Sequence, residues 1–169
     1  MGSNTSGVGA TQAALDAIRR IVQSLRESSR WSERSVGLSG AQLFVLQKLA
    51  DSPGISINDL AARTHTHQSS VSTVVTRLVQ SGLVRRAPSG SDGRSVTLSL
   101  SARGRRVAAQ APDVPQERLI KAIEQLTDAR RRQLATALTE VAKAMSSVEH
   151  APVMFFEDHS GASRRARRE

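Results

Sequence analysis

Cysteine is absent from the 169 residues, and three phenylalanines and one tryptophan are the only aromatic side chains. Without a thiol there is no disulfide, no thiolate metal site, no cysteine nucleophile and no thiol-based redox sensor. No apolar run approaches the roughly 18 residues of a membrane-spanning helix, and Met1–Gln12 lacks the basic-then-apolar order of a secretion signal. The expectation is a soluble cytoplasmic protein with no membrane partner. Catalytic signatures are missing as well: there is no P-loop, no Gly-x-Ser-x-Gly, no His-Glu-x-x-His and no plausible triad, and Gly7-Val-Gly9 is too short for a nucleotide fingerprint. The chain reads as a non-enzyme that needs no cofactor. Acidic charge is also scarce, 15 Asp+Glu against 24 Lys+Arg, for a net charge of +9. That balance favours an anionic partner, nucleic acid ahead of a membrane surface.

The charge is concentrated. Between Arg77 and Arg106 seven arginines face one acid, Asp92, whereas residues 107–150 carry equal numbers of acids and bases. A local surplus of this kind is an electrostatic footprint for phosphate; the balanced segment resembles an ordinary solvated helix surface.

Periodicity places the elements. Leu15, Ile18, Val22 and Leu25 form one helical stripe from Ala13 to about Arg30, after a loose Gly/Ser/Thr-rich start and before a break at Ser35–Ser39. Ser39 and Gln42 spell a capping box, with Leu38 able to staple to Leu43, and the helix carrying Leu43, Leu46 and Leu49 must stop near Pro53-Gly54. Ser56 and Asp59 repeat the device for a short helix to about Thr64. In the next segment, His65–Gly82, Val71, Val74, Val75 and Leu78 share one face at helical spacing, and Gly82 supplies a left-handed exit. The other face offers Gln68, Ser69, Ser72, Thr73, Thr76 and Arg77, beside Ser70. Short hydroxyl and amide groups suit close entry into a major groove, and a merely solvated surface would look the same. Leu83–Pro88 and the strictly alternating Ser95–Leu100 then flank the turn-rich Ser89–Arg94, which makes a β-hairpin with Arg85 and Arg86 before its tip and Arg94 on it. Helix, turn, polar-faced helix and basic hairpin compose a winged helix-turn-helix.

After Ser101, a further cap, helical pattern runs to Ala111, is interrupted at Pro112 and Pro115, and resumes through Leu119, Ile120 and Ile123. Thr127-Asp128 opens a last helix with Leu134, Leu138, Val141, Met145 and Val148 spaced as a heptad seam. Such stripes fit packing against a second protomer and packing within one chain equally well.

From about Leu38 to Gly104 the chain resembles the DNA-binding core of the MarR (multiple antibiotic resistance regulator) family. The resemblance rests on Asp59-Leu-Ala-Ala-Arg63, Gln68-Ser-Ser-Val-Ser72, Arg77-Leu-Val-Gln-Ser-Gly-Leu-Val84 and the wing signature Asp92-Gly-Arg-Ser-Val-Thr-Leu-Ser-Leu-Ser101. It implies a mainly α fold with a small β-hairpin wing, a winged helix-turn-helix core flanked by N- and C-terminal dimerisation helices. Five segments follow: a flexible 1–12, a dimerisation helix and connection at 13–37, a DNA-binding lobe at 38–106, dimerisation helices at 107–150 and a disordered basic tail at 151–169. The implied function is a homodimeric, sequence-specific regulator of transcription, a repressor that binds double-stranded DNA at a pseudo-palindromic operator and answers to a small-molecule effector. It would sit on the nucleoid when bound. DNA contacts are expected from Gln68, Ser69, Ser70, Ser72, Thr73, Thr76, Arg77, Arg85, Arg86, Asp92, Arg94 and Ser95, with Arg94 in the minor groove and Asp92 orienting nearby arginines. Dimer contacts are expected from Leu15, Ile18, Val22, Leu134, Leu138, Val141 and Met145. Trp31, in the break after the first helix, is either a wall of the effector cleft or a plug at the core end. His65 and His67 read as turn or helix-start residues and not as a zinc pair, because positions two apart on a helix diverge and no cysteine or acidic cluster adjoins them. Phe155 and Phe156 fall in the tail and stay open between disorder and docking. The rival reading is a winged helix used as a protein-interaction or architectural module.

Overall fold

A computed structural model describes residues 3–89, 95–112, 114–145 and 154–155. The order is α1 (Ser3–Val36), α2 (Gly40–Asp51), β1 (Ile55–Ser56), α3 (Ile57–Arg63), α4 (Gln68–Gln80), β2 (Val84–Ser89), β3 (Ser95–Leu100), α5 (Ala102–Gln110), α6 (Pro115–Glu124) and α7 (Asp128–Met145). The mainly helical, winged architecture matches the expectation, with a third strand that periodicity did not show: β1 pairs with β3, giving the antiparallel order β1-β3-β2. Two residues are too few to display a period of two.

Capping chemistry starts the helices where the side chains dictate. Ser39 Oγ accepts from Gln42 N at 3.3 Å while Ser39 N donates to Gln42 Oε1 at 2.9 Å, so both arms of the capping box are present. Ser56 accepts from Asp59 N and Ser101 from Gly104 N. α2 is buried on most of its circumference, through Ala41, Leu43, Phe44, Val45, Leu46 and Leu49, as befits a helix enclosed by its neighbours. Against it pack Leu60 of α3, the Val71/Val74/Val75/Leu78 face of α4, and Leu98 and Leu100 of β3.

The exit of α4 sets the wing. Gly82 takes φ +70°, Gly82 N donates to Val79 O and Leu83 N to Leu78 O, the paired bonds of a Schellman turn. Ser101 then ties both ends of the hairpin together, its Oγ donating to Gly82 O at 2.8 Å and its N to Leu83 O at 2.9 Å. Gly104 fits against this junction only because it has no side chain, since a Cβ there would lie 2.1 Å from Leu83 O. The strands pair from Val84↔Leu100 to Ser89↔Ser95.

Three boundaries differ from the sequence reading. α1 begins at Ser3, so residues 3–12, read as part of a flexible lead, are helical; Val8 stands one heptad before Leu15 and carries the same stripe backwards. α1 also continues to Val36 before Gly37 turns it off at φ +70°, which places Trp31 on the helix and not in a break. There Ser29 and Ser32 are buried and small, and α1 closes on the start of α2 with Ser32 Oγ donating to Leu38 O at 2.7 Å. Finally, Met154 is 3% exposed and belongs to the main core. The segment read as disordered returns at least one flexible apolar side chain to a gap that methionine is suited to fill.

Candidate nucleic-acid interface

The outward face of α4 and the adjoining wing carry most of the basic and hydroxyl groups singled out in the sequence. Gln68, Ser69, Thr73 and Thr76 are exposed, and Ser72 and Arg77 are half-buried. Ser70 does not belong with them. It is buried, because it lies one turn before Val74 and shares the inward stripe.

The threonines are held by the helix itself. Thr73 Oγ1 donates to Ser69 O at 3.1 Å and Thr76 Oγ1 to Ser72 O at 2.8 Å. A hydroxyl has one proton, so each presents lone pairs and a methyl outward. Thr76 Oγ1 also accepts from Arg86 Nη2 at 3.0 Å, which fixes a wing guanidinium beside the recognition helix. Arg85, the next residue along the strand, points to the opposite face; both arginines are exposed. The sequence named Thr76 and Arg86 separately, and the turn at Gly82, which lays β2 back against α4, brings them together.

Two arginines of the basic cluster also have structural acceptors. Arg103 Nη1 donates to Ser81 O at 3.3 Å, at the carbonyl end of α4, and Arg105 Nη1 to Leu100 O at 3.0 Å. A cation beside a helix C-terminus is stabilised by the helix dipole. Their charge still adds to the positive field, while their geometry is committed to the wing base. Asp92 and Arg94 lie outside the described residues, and of Ser95 the structure shows the backbone pairing with Ser89.

The turn between α3 and α4 contains a departure that pattern alone did not reveal. His65 has φ +50°, the left-handed region, which side chains other than Asn, Asp and His seldom enter. Its Nε2 donates to Glu124 Oε1 at 3.1 Å, at the end of α6. His67 is the N-cap of α4 and makes no side-chain cap bond. The two histidines thus have separate surroundings, and among the described residues no group of three or more His, Asp and Glu gathers.

The residues proposed for dimer contact stay uncovered in the single chain. Leu15, Ile18, Leu138 and Val141 are each 40% exposed or more, Met145 is 82% exposed, Val22 and Leu134 are half-buried, and no residue of α7 is buried. Phe155 is also exposed. Trp31 is exposed on α1, and it lines neither of two surface cavities. One cavity, of about 250 Å³, lies where α2 meets α5 and α6, with Phe44, Lys48, Asp51, Glu117 and Lys121 among its walls. Lys48 pairs with Glu117 and sits over the Phe44 ring at 5.7 Å. Burial pushes the Glu117 carboxyl upward, but Lys48 and Lys121 together outweigh it and hold the group below its ordinary value. The other, of about 320 Å³, is an apolar groove between α1 and α6 with Arg20 and Arg118 at its edge.

Comparison with known proteins is consistent with this surface. A model of the MarR family matches residues 36–95. The HTH-type transcriptional repressor Rv2887 of Mycobacterium tuberculosis is 31% identical over 106 residues, 63% of this chain and 76% of that protein. Among solved structures, the reduced form of MarR from E. coli superposes with a TM-score of 0.53 at 23% identity, covering 75% of this chain and 93% of that one. The S. aureus MepR–DNA complex gives a TM-score of 0.53 at 17% identity, over 80% and 98%.

Proposed function

The chain belongs to the MarR family of winged helix-turn-helix regulators, and from that premise we propose that it represses transcription as a homodimer on a pseudo-palindromic operator. It is a DNA-binding transcriptional regulator and not an enzyme. The observation that carries the reading is the pairing of a small-hydroxyl face on α4 with a wing arginine fixed beside it by Thr76. α4 enters the major groove with Gln68, Ser69, Ser72 and Thr73 at the base edges. Arg77, Arg85 and Arg86 neutralise phosphates, Ser95 lies on the wing, and Arg94 enters the minor groove with Asp92 orienting the nearby arginines. Two protomers joined through α1 and α7 present two such helices to half-sites about one helical turn apart. The uncovered stripe Leu134, Leu138, Val141 and Met145 supports that assembly.

Repression fits the names of its relatives, which include the HTH-type transcriptional repressors Rv2887 and, from Bacillus subtilis, MdtR. A small effector would shift the population between lobe spacings that bind and do not bind the operator. The cavity at the meeting of α2, α5 and α6 supports a site at the seam between lobe and arm, in place of the Trp31 cleft. The protein would work in the cytoplasm, on the nucleoid when bound.

A gel shift with the DNA upstream of its own gene, in competitor DNA at moderate salt, tests the reading. A sequence-selective complex is the expected result. Arg94→Ala and Arg86→Ala should each weaken it and lower the salt slope by about one phosphate equivalent. Absence of any selective complex would overturn the repressor reading in favour of a protein-interaction module.

A further inference from the structure

His65 occupies a backbone conformation that glycine or asparagine adopts more readily. The backbone alone does not single out an imidazole, since asparagine and aspartate enter the same region. What the imidazole does is reach Glu124, 59 residues along the chain, and the partner sits at a junction: Glu124 is the last residue of α6. Arg131, on the first turns of α7, donates its Nη2 to the carbonyls of Glu124 at 2.9 Å and Leu126 at 3.0 Å. A continuous polar chain thus runs from the helix-turn-helix turn to the base of α7. Its lobe end is two residues from His67, where α4 begins.

We infer that His65 is a positioning residue for operator binding: the His65–Glu124 bond pins the turn that launches the recognition helix to the arm that joins the protomers, and so helps set the separation of the two recognition helices. The inference rests on the homodimeric DNA-binding reading. Either protonation state of the imidazole offers an N–H to the carboxylate, so the link does not need a charged histidine. Both groups are more than half exposed, which makes the bond weak enough to be a bias on geometry and not a pillar of the fold.

The test uses duplexes selected by the wild-type chain from a random pool, then rebuilt with one or two base pairs inserted or removed between the half-sites. Binding to each is measured by fluorescence anisotropy, alongside thermal melting. Wild type should favour one spacing. His65→Asn keeps a side chain that tolerates the left-handed backbone but stops short of α6, and Glu124→Ala cuts the bond from the other side. Each should flatten the preference for the selected spacing by about threefold, the double variant no further, and Glu124→Gln should restore it, all with melting unchanged. An unaltered spacing profile, additive effects, or affinity loss at every spacing in step with lower melting would overturn the inference. If the wild-type chain selects no duplex at all, the DNA-binding reading falls first and takes this one with it.

Discussion

The lobe and the arms of this protein solve opposite problems with the same aliphatic residues. In the lobe, Leu43, Phe44, Leu46, Leu49, Leu60, Val71, Val75, Leu78 and Leu98 are all fully buried. In the arms, Leu15, Ile18, Leu138, Val141 and Met145 are exposed, although they recur with equal regularity. Periodicity therefore says that a helix has an apolar face; only the fold says whether that face is already covered. The lobe holds most of the core and its helices are capped, and among the described residues α7 has no buried side chain. A soluble helix with such a stripe has surface to bury elsewhere.

The largest expected effect would show how far the lobe depends on one centre. Phe44→Ala removes the largest fully buried side chain among the described residues and should cost about 3–5 kcal/mol in urea unfolding, a large share of the about 5–15 kcal/mol that holds a domain of ordinary stability. A loss below about 1 kcal/mol would mean that α2 is not the hub described. Next in size is the arm. Leu138→Asp with Val141→Asp puts two charges on the stripe and should convert the proposed dimer to monomer in sedimentation equilibrium, while circular dichroism still reports a folded lobe. Retention of the dimer would place the interface elsewhere, and loss of the lobe's fold would erase the distinction between the two regions.

That distinction also sorts what could be read from sequence. Caps at Ser39, Ser56 and Ser101, the glycine exit at Gly82 and the hairpin were legible because each depends on a few neighbouring residues. The span of α4 was legible too, despite its many β-branched and hydroxyl residues, since the inward valines repeat at helical spacing. The misses are of another kind. Ser70 was expected among the DNA contacts with its neighbours, when its position one turn before Val74 puts it inside. Trp31 was placed in a break because α1 carries serines where it meets α2, and small residues there mark close approach and not an ending. Met154 and the His65–Glu124 bond join positions distant in the chain, for which no local pattern exists, and the Thr76–Arg86 bond crosses the turn between a helix and a strand, whose different periods do not show which side chains will meet.

The smallest effect lies at the seam between the two regions, where Lys48 of α2 meets Glu117 of α6. Because the folded state holds the Glu117 carboxyl below its ordinary value, the unfolded chain takes up a proton at higher pH than the folded one does. The pair's stabilisation is then fully present above the ordinary glutamate range, near pH 4.3, and is lost as pH falls through the lowered folded value. Glu117→Gln cannot ionise and so lacks that contribution at every pH. Wild type should exceed the variant by about 1 kcal/mol or less at neutral pH, and the gap should close on acidification. A gap that stays constant down to pH 3 would mean that Glu117 acts through packing alone, and that lobe and arm meet there without electrostatic coupling.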